Sequence, residues 1–310
     1  MESNPIDFEW QESHSMNSKS GLLPFILVLI NFGKAQAVYN ATISNYSYFA
    51  RSPLVEIQHK DGNICSGVLI GRQMVLTAAH CIFPSTKVLA VRVVIPPSDV
   101  NSSLGYQIEI IAAKKFLIHD KYAKNVSDLS YENQLKNVKY DFGIIKLERP
   151  VSVTKVIANL IKSIDEKKLE SYVSKLNLLV TGYGATNING DNNYPSLGYG
   201  FFADSKSFYD DIQGKSIAAA FESDHFEVIA LDGKKGASSC YGDSGGGLFL
   251  LNDSDLVNIK KYELPRKWDL LGINSWTLDS KGMPKSCFRG SIHPTVFRQE
   301  ILDFILPNIL

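Results

Sequence analysis

The sequence predicts an all-β protein that ends in a single helix. Short runs rich in valine and isoleucine, such as KVLAVRVVIP and DFGIIKLE, recur along the chain, and polar breaks such as KDGN, PPSDVNSS and NINGDNN separate them. Runs of this length with such breaks are typical of β-sandwiches and β-barrels. In residues 296–310, Val296, Ile301, Phe304 and Ile305 recur at helical spacing, which indicates a terminal helix.

The composition is that of an ordinary globular protein. Of 310 residues, 45% are hydrophobic and 21% are charged, and the formal net charge is zero. This balance does not indicate a nucleic-acid-binding surface, so no nucleic-acid partner is expected. The length suits one large domain or two small domains packed together.

Residues 1–37 predict a signal peptide region. The run GLLPFILVLINFG, residues 21–33, is apolar, and Ala35 and Ala37 are small residues two apart, which predicts cleavage after Ala37. The run is short for a membrane helix, so a membrane anchor is the less favoured alternative and no stable span is expected after cleavage. Because the segment before Met16 is polar, translation starting at Met16 fits a signal peptide better. Export predicts an extracellular protein, or a periplasmic one in a bacterium.

The chain has four cysteines: Cys65, Cys81, Cys240 and Cys287. An even number of cysteines in an exported chain predicts disulfides, and their spacing alone leaves all three connectivities open. The sequence contains no C-x-x-C, no H-E-x-x-H and no P-loop. It therefore predicts neither a metal site nor a cofactor.

Ser244 lies in the glycine-rich stretch SSCYGDSGGGLFL, residues 238–250. This stretch is either a loose turn or a place where backbone N–H groups approach a group reacting at Ser244. A serine nucleophile needs a general base and a group that orients the base. Among six histidines, His80 in VLTAAHC has small neighbours that leave room for an imidazole. Asp141 in YDFGIIKL lies at the edge of an apolar strand, although an aspartate there is more often a strand-end or turn residue.

Taken together, LTAAHC, YDFGIIKL and GDSGG resemble the three motifs of the chymotrypsin/trypsin-like serine protease family, in that family's order. The resemblance starts near residue 38, reaches the C-terminus, and includes VTGYGAT and GINSWT. It implies one protease domain, residues 38–310, made of two packed six-stranded antiparallel β-barrels with a C-terminal helix. The first barrel is expected at about 38–160 and the second, with the helix, at about 161–310. An esterase of the α/β-hydrolase type requires the order serine, acid, histidine and is set aside.

The resemblance implies a role for each motif. Ser244 attacks the scissile carbonyl, His80 takes and returns the proton, and Asp141 orients His80. The backbone N–H groups of Gly242 and Ser244 form the oxyanion hole.

The resemblance also implies the disulfides and the activation partner. The cysteines are implied to pair as Cys65–Cys81 and Cys240–Cys287. Asp243 is implied to pair with a new α-amino group made by proteolysis, and Val38, the first residue after the predicted cleavage, is the candidate. The sequence VYNATIS departs from the family's Val-Gly-Gly type of start.

A specificity pocket is implied at Ser238, Ser275, Trp276, Thr277 and Thr295. Ser238 at the base carries no charge, so a preference for arginine or lysine is not expected. The side chains of Thr277 and Thr295 are implied to stand at opposite walls and to narrow the slot between them, as in elastases. The pocket therefore predicts cleavage after small or medium apolar residues.

The sequence thus predicts a monomeric, secreted serine endopeptidase that acts on proteins or peptides, with protein protease inhibitors as further partners. The alternative is a catalytically inactive homologue that only binds partners. Such homologues usually lose a triad residue, whereas this chain keeps all three.

Overall fold

The computed structural model describes the parts of the chain on which the fold depends. All of them belong to one unit, residues 34–310. The predicted signal peptide, with its cleavage site and Met16, lies outside the described residues. The described residues are 38, 43–44, 49–83, 88–97, 105–125, 137–165, 169, 178–184, 196–200, 227–232, 236–252, 254–255, 265–278 and 290–309.

The described residues are mostly β-structure. The first eight strands are β1 (Ile43–Ser44), β2 (Leu54–His59), β3 (Ile64–Gly71), β4 (Met74–Thr77), β5 (Val88–Ile95), β6 (Gln107–Ile111), β7 (Ala113–Ile118) and β8 (Gly143–Leu147). The next eight are β9 (Asn159–Leu160), β10 (Leu178–Gly182), β11 (Ser196–Gly200), β12 (Val228–Asp232), β13 (Gly247–Leu250), β14 (Asp269–Ile273), β15 (Trp276–Leu278) and β16 (Gly290–Pro294). Helices include α1 (Ala79–Ile82), α2 (Asp120–Asn125), α3 (Gln299–Ile309) and a 3-10 helix, Val138–Tyr140.

The first sheet is antiparallel in the order β6-β5-β2-β3-β4-β8-β7. Its two outermost strands, β6 and β7, are separated in the chain by Ala112 alone. One bent segment therefore pairs with β5 through β6 and with β8 through β7. This closes the sheet into a barrel of six strands, because closure removes the free edges that an open sheet would expose.

The second barrel consists of two sheets, ordered β1-β11-β10-β13-β14-β9 and β12-β16-β15. Only Asn274 and Ser275 separate β14 from β15, so one strand breaks there and continues in the other sheet. A bridge between Gly272 and Thr295 and a hydrogen bond from Ser275 N–H to the Ile292 carbonyl (3.1 Å) join the two sheets. The predicted all-β fold of two antiparallel barrels with a terminal helix is confirmed.

A continuous apolar core fixes the two barrels against each other. Tyr183 and Phe249 of the second half are fully buried in the same cluster as Val55 and Ile144 of the first sheet. Burying each large apolar side chain stabilises the fold by about 1.5–3 kcal/mol. Side chains carried by different barrels are thus held on one packed body. The predicted boundary between the two barrels near residue 160 stays a prediction.

The C-terminal helix is shorter than predicted. It begins at Gln299, so Val296 lies before it, and its buried face includes Ile301 and Ile305. Pro307 lacks a backbone N–H and so removes one hydrogen-bond donor from the last turn of the helix. In the same turn, the Asn308 side chain donates a hydrogen bond to the Phe304 carbonyl at 2.7 Å. None of the helices within the described residues has the length and hydrophobicity to cross a bilayer.

Candidate active site

His80 lies in α1, directly after the buried strand β4. Ala78 is extended (φ −72°, ψ 141°), which ends the strand and starts the short helix. A disulfide between Cys65 of β3 and Cys81 fixes α1 to the sheet and closes a loop with a sequence separation of 16 residues. In the chain-entropy account, closing such a loop stabilises the fold by about 3 kcal/mol. The imidazole is thus held on a rigid element, and its side chain remains 36% exposed.

Asp141 follows the 3-10 helix and is only 2% exposed. Its Oδ1 accepts the backbone N–H of His80 at 2.9 Å. Its Oδ2 accepts His80 Nδ1–H at 2.7 Å and the Ser275 hydroxyl at 2.5 Å. Because the carboxylate can only accept, the His80 proton sits on Nδ1 and Nε2 carries the lone pair.

The charge of Asp141 controls the protonation of His80. Burial lowers the pKa of His80, but the Coulombic attraction and hydrogen bond of Asp141 raise it by more, so the net pKa lies above 6.5. His80 is therefore prepared to accept a proton and to hold the resulting charge.

Ser244 lies in a tight loop in which two backbone positions require glycine. Gly242 and Gly245 have φ of +88° and +81°, values that L side chains rarely adopt. A Cβ on Gly245 would also lie 2.0 Å from Thr77 Oγ1. The loop can therefore pack directly on the first barrel, where the Ser244 carbonyl accepts the Ser66 N–H at 2.7 Å.

A cavity of about 280 Å³ lies beside Ser244. His80 and Ser244 both line it, although no hydrogen bond joins them among the described residues. Such contacts often tighten only when substrate is bound. The complete lining is His80, Ser239, Cys240, Tyr241, Gly242, Ser244, Ser275, Trp276 and Thr277.

Three of the five predicted pocket residues, Ser275, Trp276 and Thr277, line this cavity, and Ser238 and Thr295 do not. Ser238 is fully buried next to Ser239, which does line the cavity. Thr295 is also buried, and both its N–H and its hydroxyl donate to the Glu227 carbonyl, at 3.1 and 3.2 Å.

Asp243, which directly precedes Ser244, is fully buried. It accepts N–H groups of Gly184 and Cys240, both at 2.7 Å. Burial raises the pKa of Asp243 well above 3.8, an effect that these two hydrogen bonds only partly counter. No cation pairs with this carboxylate among the described residues, and Val38 is buried in the apolar core of the second barrel.

The second predicted disulfide is described at one end. Cys240 is disulfide-bonded. Its predicted partner, Cys287, lies outside the described residues.

Comparison with known proteins identifies the family. The trypsin family model matches residues 44–292. The chain belongs to the trypsin family. This trypsin-family chain is therefore related to serine-type peptidases that act on proteins.

Curated relatives of this trypsin-family chain are distant. Transmembrane protease serine 11G of Rattus norvegicus is 26% identical over 221 residues, which cover 70% of this chain and 44% of the relative. Clotting factor C of Tachypleus tridentatus is 24% identical, over 78% of this chain and 22% of the relative. Trypsin of Phaedon cochleariae is 25% identical, and the match covers 67% of this chain and 72% of that relative. The chain thus spans less than half the length of the first two relatives.

A solved structure supports the trypsin-like fold. The structure of HL collagenase matches 87% of this chain and 97% of its own chain, with a TM-score of 0.55 and 20% identity. At this identity the likeness shows the fold alone.

Sequence reasoning missed several polar residues that hold the loop of residues 242–245, called the nucleophile loop after the role predicted for Ser244. Ser66 contacts Gly242 and Ser244 from β3, and Asn274 donates to the Thr181 and Asp243 carbonyls at 2.7 and 3.0 Å. The signal in the sequence was a polar residue within an otherwise apolar run, as in CSGVLIG and GINSW.

Proposed function

We propose that the chain is a secreted serine endopeptidase that uses His80, Asp141 and Ser244. One observation carries the proposal. The His80 ring, hydrogen-bonded to buried Asp141 at 2.7 Å, lines the same cavity as Ser244. A base with its orienting carboxylate beside a serine is the arrangement that activates a hydroxyl for acyl transfer.

The reaction proceeds in two halves. His80 Nε2 takes the proton of Ser244 as the serine oxygen attacks the scissile carbonyl, and then gives that proton to the leaving amine. Water next attacks the resulting ester while His80 takes a proton from it, and His80 then gives that proton to the Ser244 oxygen as the peptide acid leaves. Asp141 keeps the imidazole oriented and stabilises its positive charge in both halves.

The oxyanion of each tetrahedral intermediate is proposed to bind the N–H groups of Gly242 and Ser244. Both residues line the cavity, and the positive φ of Gly242 allows its peptide to turn inward. Losing one such donor typically costs about 3–4 kcal/mol of transition-state stabilisation.

The proposed specificity is for small or medium apolar residues before the cut. Apart from His80, the side chains lining the cavity are uncharged, so none provides a carboxylate for arginine or lysine. Thr277 and Thr295 are proposed to narrow the pocket from opposite walls, and Ser238 and Thr295 remain proposed pocket residues on the resemblance.

Export and activation are proposed together. Removal of residues 1–37 as a signal peptide would expose the α-amino group of Val38. That amine would supply the cation for buried Asp243, whose charge is otherwise costly. The enzyme is proposed to act outside the cell as a monomer on protein substrates, with protein inhibitors as regulators, and to carry a Cys240–Cys287 disulfide.

A labelling experiment tests the proposed activity. The mature chain and Ser244→Ala are incubated with a fluorophosphonate probe and, separately, with a peptide library. We expect covalent labelling and cleavage by the parent chain only, with cuts after small or medium apolar residues.

The same experiment separates the enzyme from an inactive homologue. A folded parent chain that neither labels nor cleaves would overturn the proposed activity and favour the inactive homologue that binds partners. Cleavage dominated by arginine or lysine would leave the hydrolase intact and overturn the proposed specificity.

A further inference from the structure

We infer that Ser66 is a positioning residue for the oxyanion hole. Its hydroxyl holds the peptide between Gly242 and Asp243, and its N–H holds the Ser244 carbonyl, so the peptide that carries the Ser244 N–H is restrained from both sides. This inference rests on the proposed hydrolase function. It assigns a role to a residue of the first barrel that touches no reacting atom.

The Ser66 hydroxyl is fully committed by two contacts. It donates to the Gly242 carbonyl at 2.9 Å, and it accepts the Tyr183 N–H at 2.8 Å. A hydroxyl has one hydrogen, and the Tyr183 N–H already occupies one of its lone pairs, so that hydrogen is directed at Gly242. Ser66 is fully buried, which keeps water from competing for either partner.

Gly242 needs this external support because it has no side chain of its own to lock it. Its φ of +88° is one of several values that glycine adopts at similar cost. A larger residue is excluded, since a Cβ at this position would lie 2.8 Å from Gly184 Cα. The Gly242 carbonyl lies in the peptide that leads to Asp243, so a bond to this carbonyl restrains rotation about the Gly242 Cα–C bond and fixes the direction of the chain towards Ser244.

Ser66 is itself held rigidly relative to the other site residues. Its N–H donates to the Ser244 carbonyl at 2.7 Å, and its own carbonyl accepts the Thr77 hydroxyl at 2.7 Å. The preceding residue, Cys65, is disulfide-bonded to Cys81, the neighbour of His80. The hydroxyl therefore aligns Gly242 within a frame that also carries the nucleophile and the base.

Ser52 provides a matched control. It is fully buried, its hydroxyl donates to the Phe49 carbonyl at 2.9 Å, and it accepts the Leu54 N–H at 3.3 Å. It does not line the cavity. Removing either hydroxyl takes one hydrogen bond from a buried backbone donor and one from a backbone carbonyl. The Phe49 carbonyl still accepts the Ser52 N–H and Lys155 Nζ, so Ser52→Ala should lose no more stability than Ser66→Ala.

The test compares Ser66→Ala, Ser66→Thr and Ser52→Ala in the mature chain, with rates expressed per titrated active site. A peptide aldehyde reports on the oxyanion hole, because its adduct with Ser244 places an oxygen there. The corresponding peptide alcohol binds without forming that adduct. Thermal unfolding measures the stability of each variant.

For Ser66→Ala we expect kcat to fall about tenfold, less than for outright loss of an oxyanion donor, with KM within about twofold. Affinity for the aldehyde should fall by a similar factor, while affinity for the alcohol stays unchanged. Ser66→Thr, which keeps a hydroxyl, and Ser52→Ala should retain the parent ratio of aldehyde to alcohol affinity.

Equal weakening of aldehyde and alcohol in Ser66→Ala would show a merely structural role and overturn the inference. So would a ratio that changes as much in Ser52→Ala. A parent chain that fluorophosphonate does not label removes the proposed function and the inference with it, whereas a labelled parent with an unaffected Ser66→Ala removes the inference alone.

Discussion

Among single residues, Asp141 has the clearest effect on chemistry, because every group around its carboxylate donates a hydrogen bond. In Asp141→Asn, the amide oxygen must face the His80 backbone N–H, which can only donate. The amide NH₂ then faces Nδ1 and forces the imidazole proton onto Nε2. We expect kcat to fall about 10⁴-fold, because Nε2 can no longer accept the proton of Ser244.

The same variant should move the pH profile. The pKa of His80 is raised by Asp141, and His80 is an effective base only above that pKa. Removing the charge lowers the pKa, so the residual kcat/KM should fall off at a lower pH than in the parent. Asp303→Asn is the control, since Asp303 is an exposed carboxylate bonded to Gln299. An acidic limb that stays at the parent pH would contradict the assigned role of Asp141.

At this scale the sequence identifies the residues that belong to motifs and misses those that act through distant contacts. His80, Asp141 and Ser244 each stand in a recognisable short stretch. Ser66 is 176 residues from Gly242 in the chain, and nothing local marks the contact. Its role depends on which strand packs against the nucleophile loop. The spacing of apolar residues in the sequence does not reveal that packing.

Among elements, the sequence predicts the presence of strands better than their breaks. Within KVLAVRVVIP, Val88–Ile95 form β5 as a single strand, but YQIEIIAAKKFLI bends at Ala112 and WDLLGINSW breaks at Asn274. At each of these points the strand changes pairing partners. The change is imposed by barrel closure and by the second sheet, so alternation of apolar residues could not reveal it.

The packing of the nucleophile loop on β4 gives a test at this scale. In Gly245→Ala, the new Cβ would lie 2.0 Å from Thr77 Oγ1 and 2.3 Å from the Ser66 carbonyl oxygen. We expect unfolding in urea to show a loss of more than about 3 kcal/mol, since overpacking adds to the backbone strain. Hydrolysis should be lost as well, because relief of the clash displaces Ser244.

Gly62→Ala is the matched control for that test. Gly62 has nearly the same φ, +82°, and a Cβ there would meet nothing within 4 Å. Backbone strain alone should cost about 1–2 kcal/mol and leave hydrolysis intact. Similar losses of stability in the two variants would mean that the close contact with β4 does not limit this loop.

In the whole molecule, residues from both halves of the chain line the candidate site. His80 and Asp141 come from the first half of the chain, whereas Ser244 and Ser275 come from the second. A sequence can place these groups together only through the resemblance of its motifs to a known fold. No cation pairs with the buried carboxylate of Asp243 among the described residues, and the proposed activation would supply one.

The proposed activation at Val38 has a measurable effect on stability. Because burial raises the pKa of Asp243 above 3.8, the uncleaved chain is stabilised by its protonated form, and this contribution is lost as pH rises from about 4 through the raised pKa. An amine freed at Val38 would offset the loss. Compared with a chain beginning at Lys34, a chain beginning at Val38 should therefore be far more active, and its unfolding free energy should decline less between pH 4 and pH 7. An N-acetylated Val38 chain should behave like the longer one, and equal activity with parallel pH dependence in all three would rule out Val38 as the activating residue.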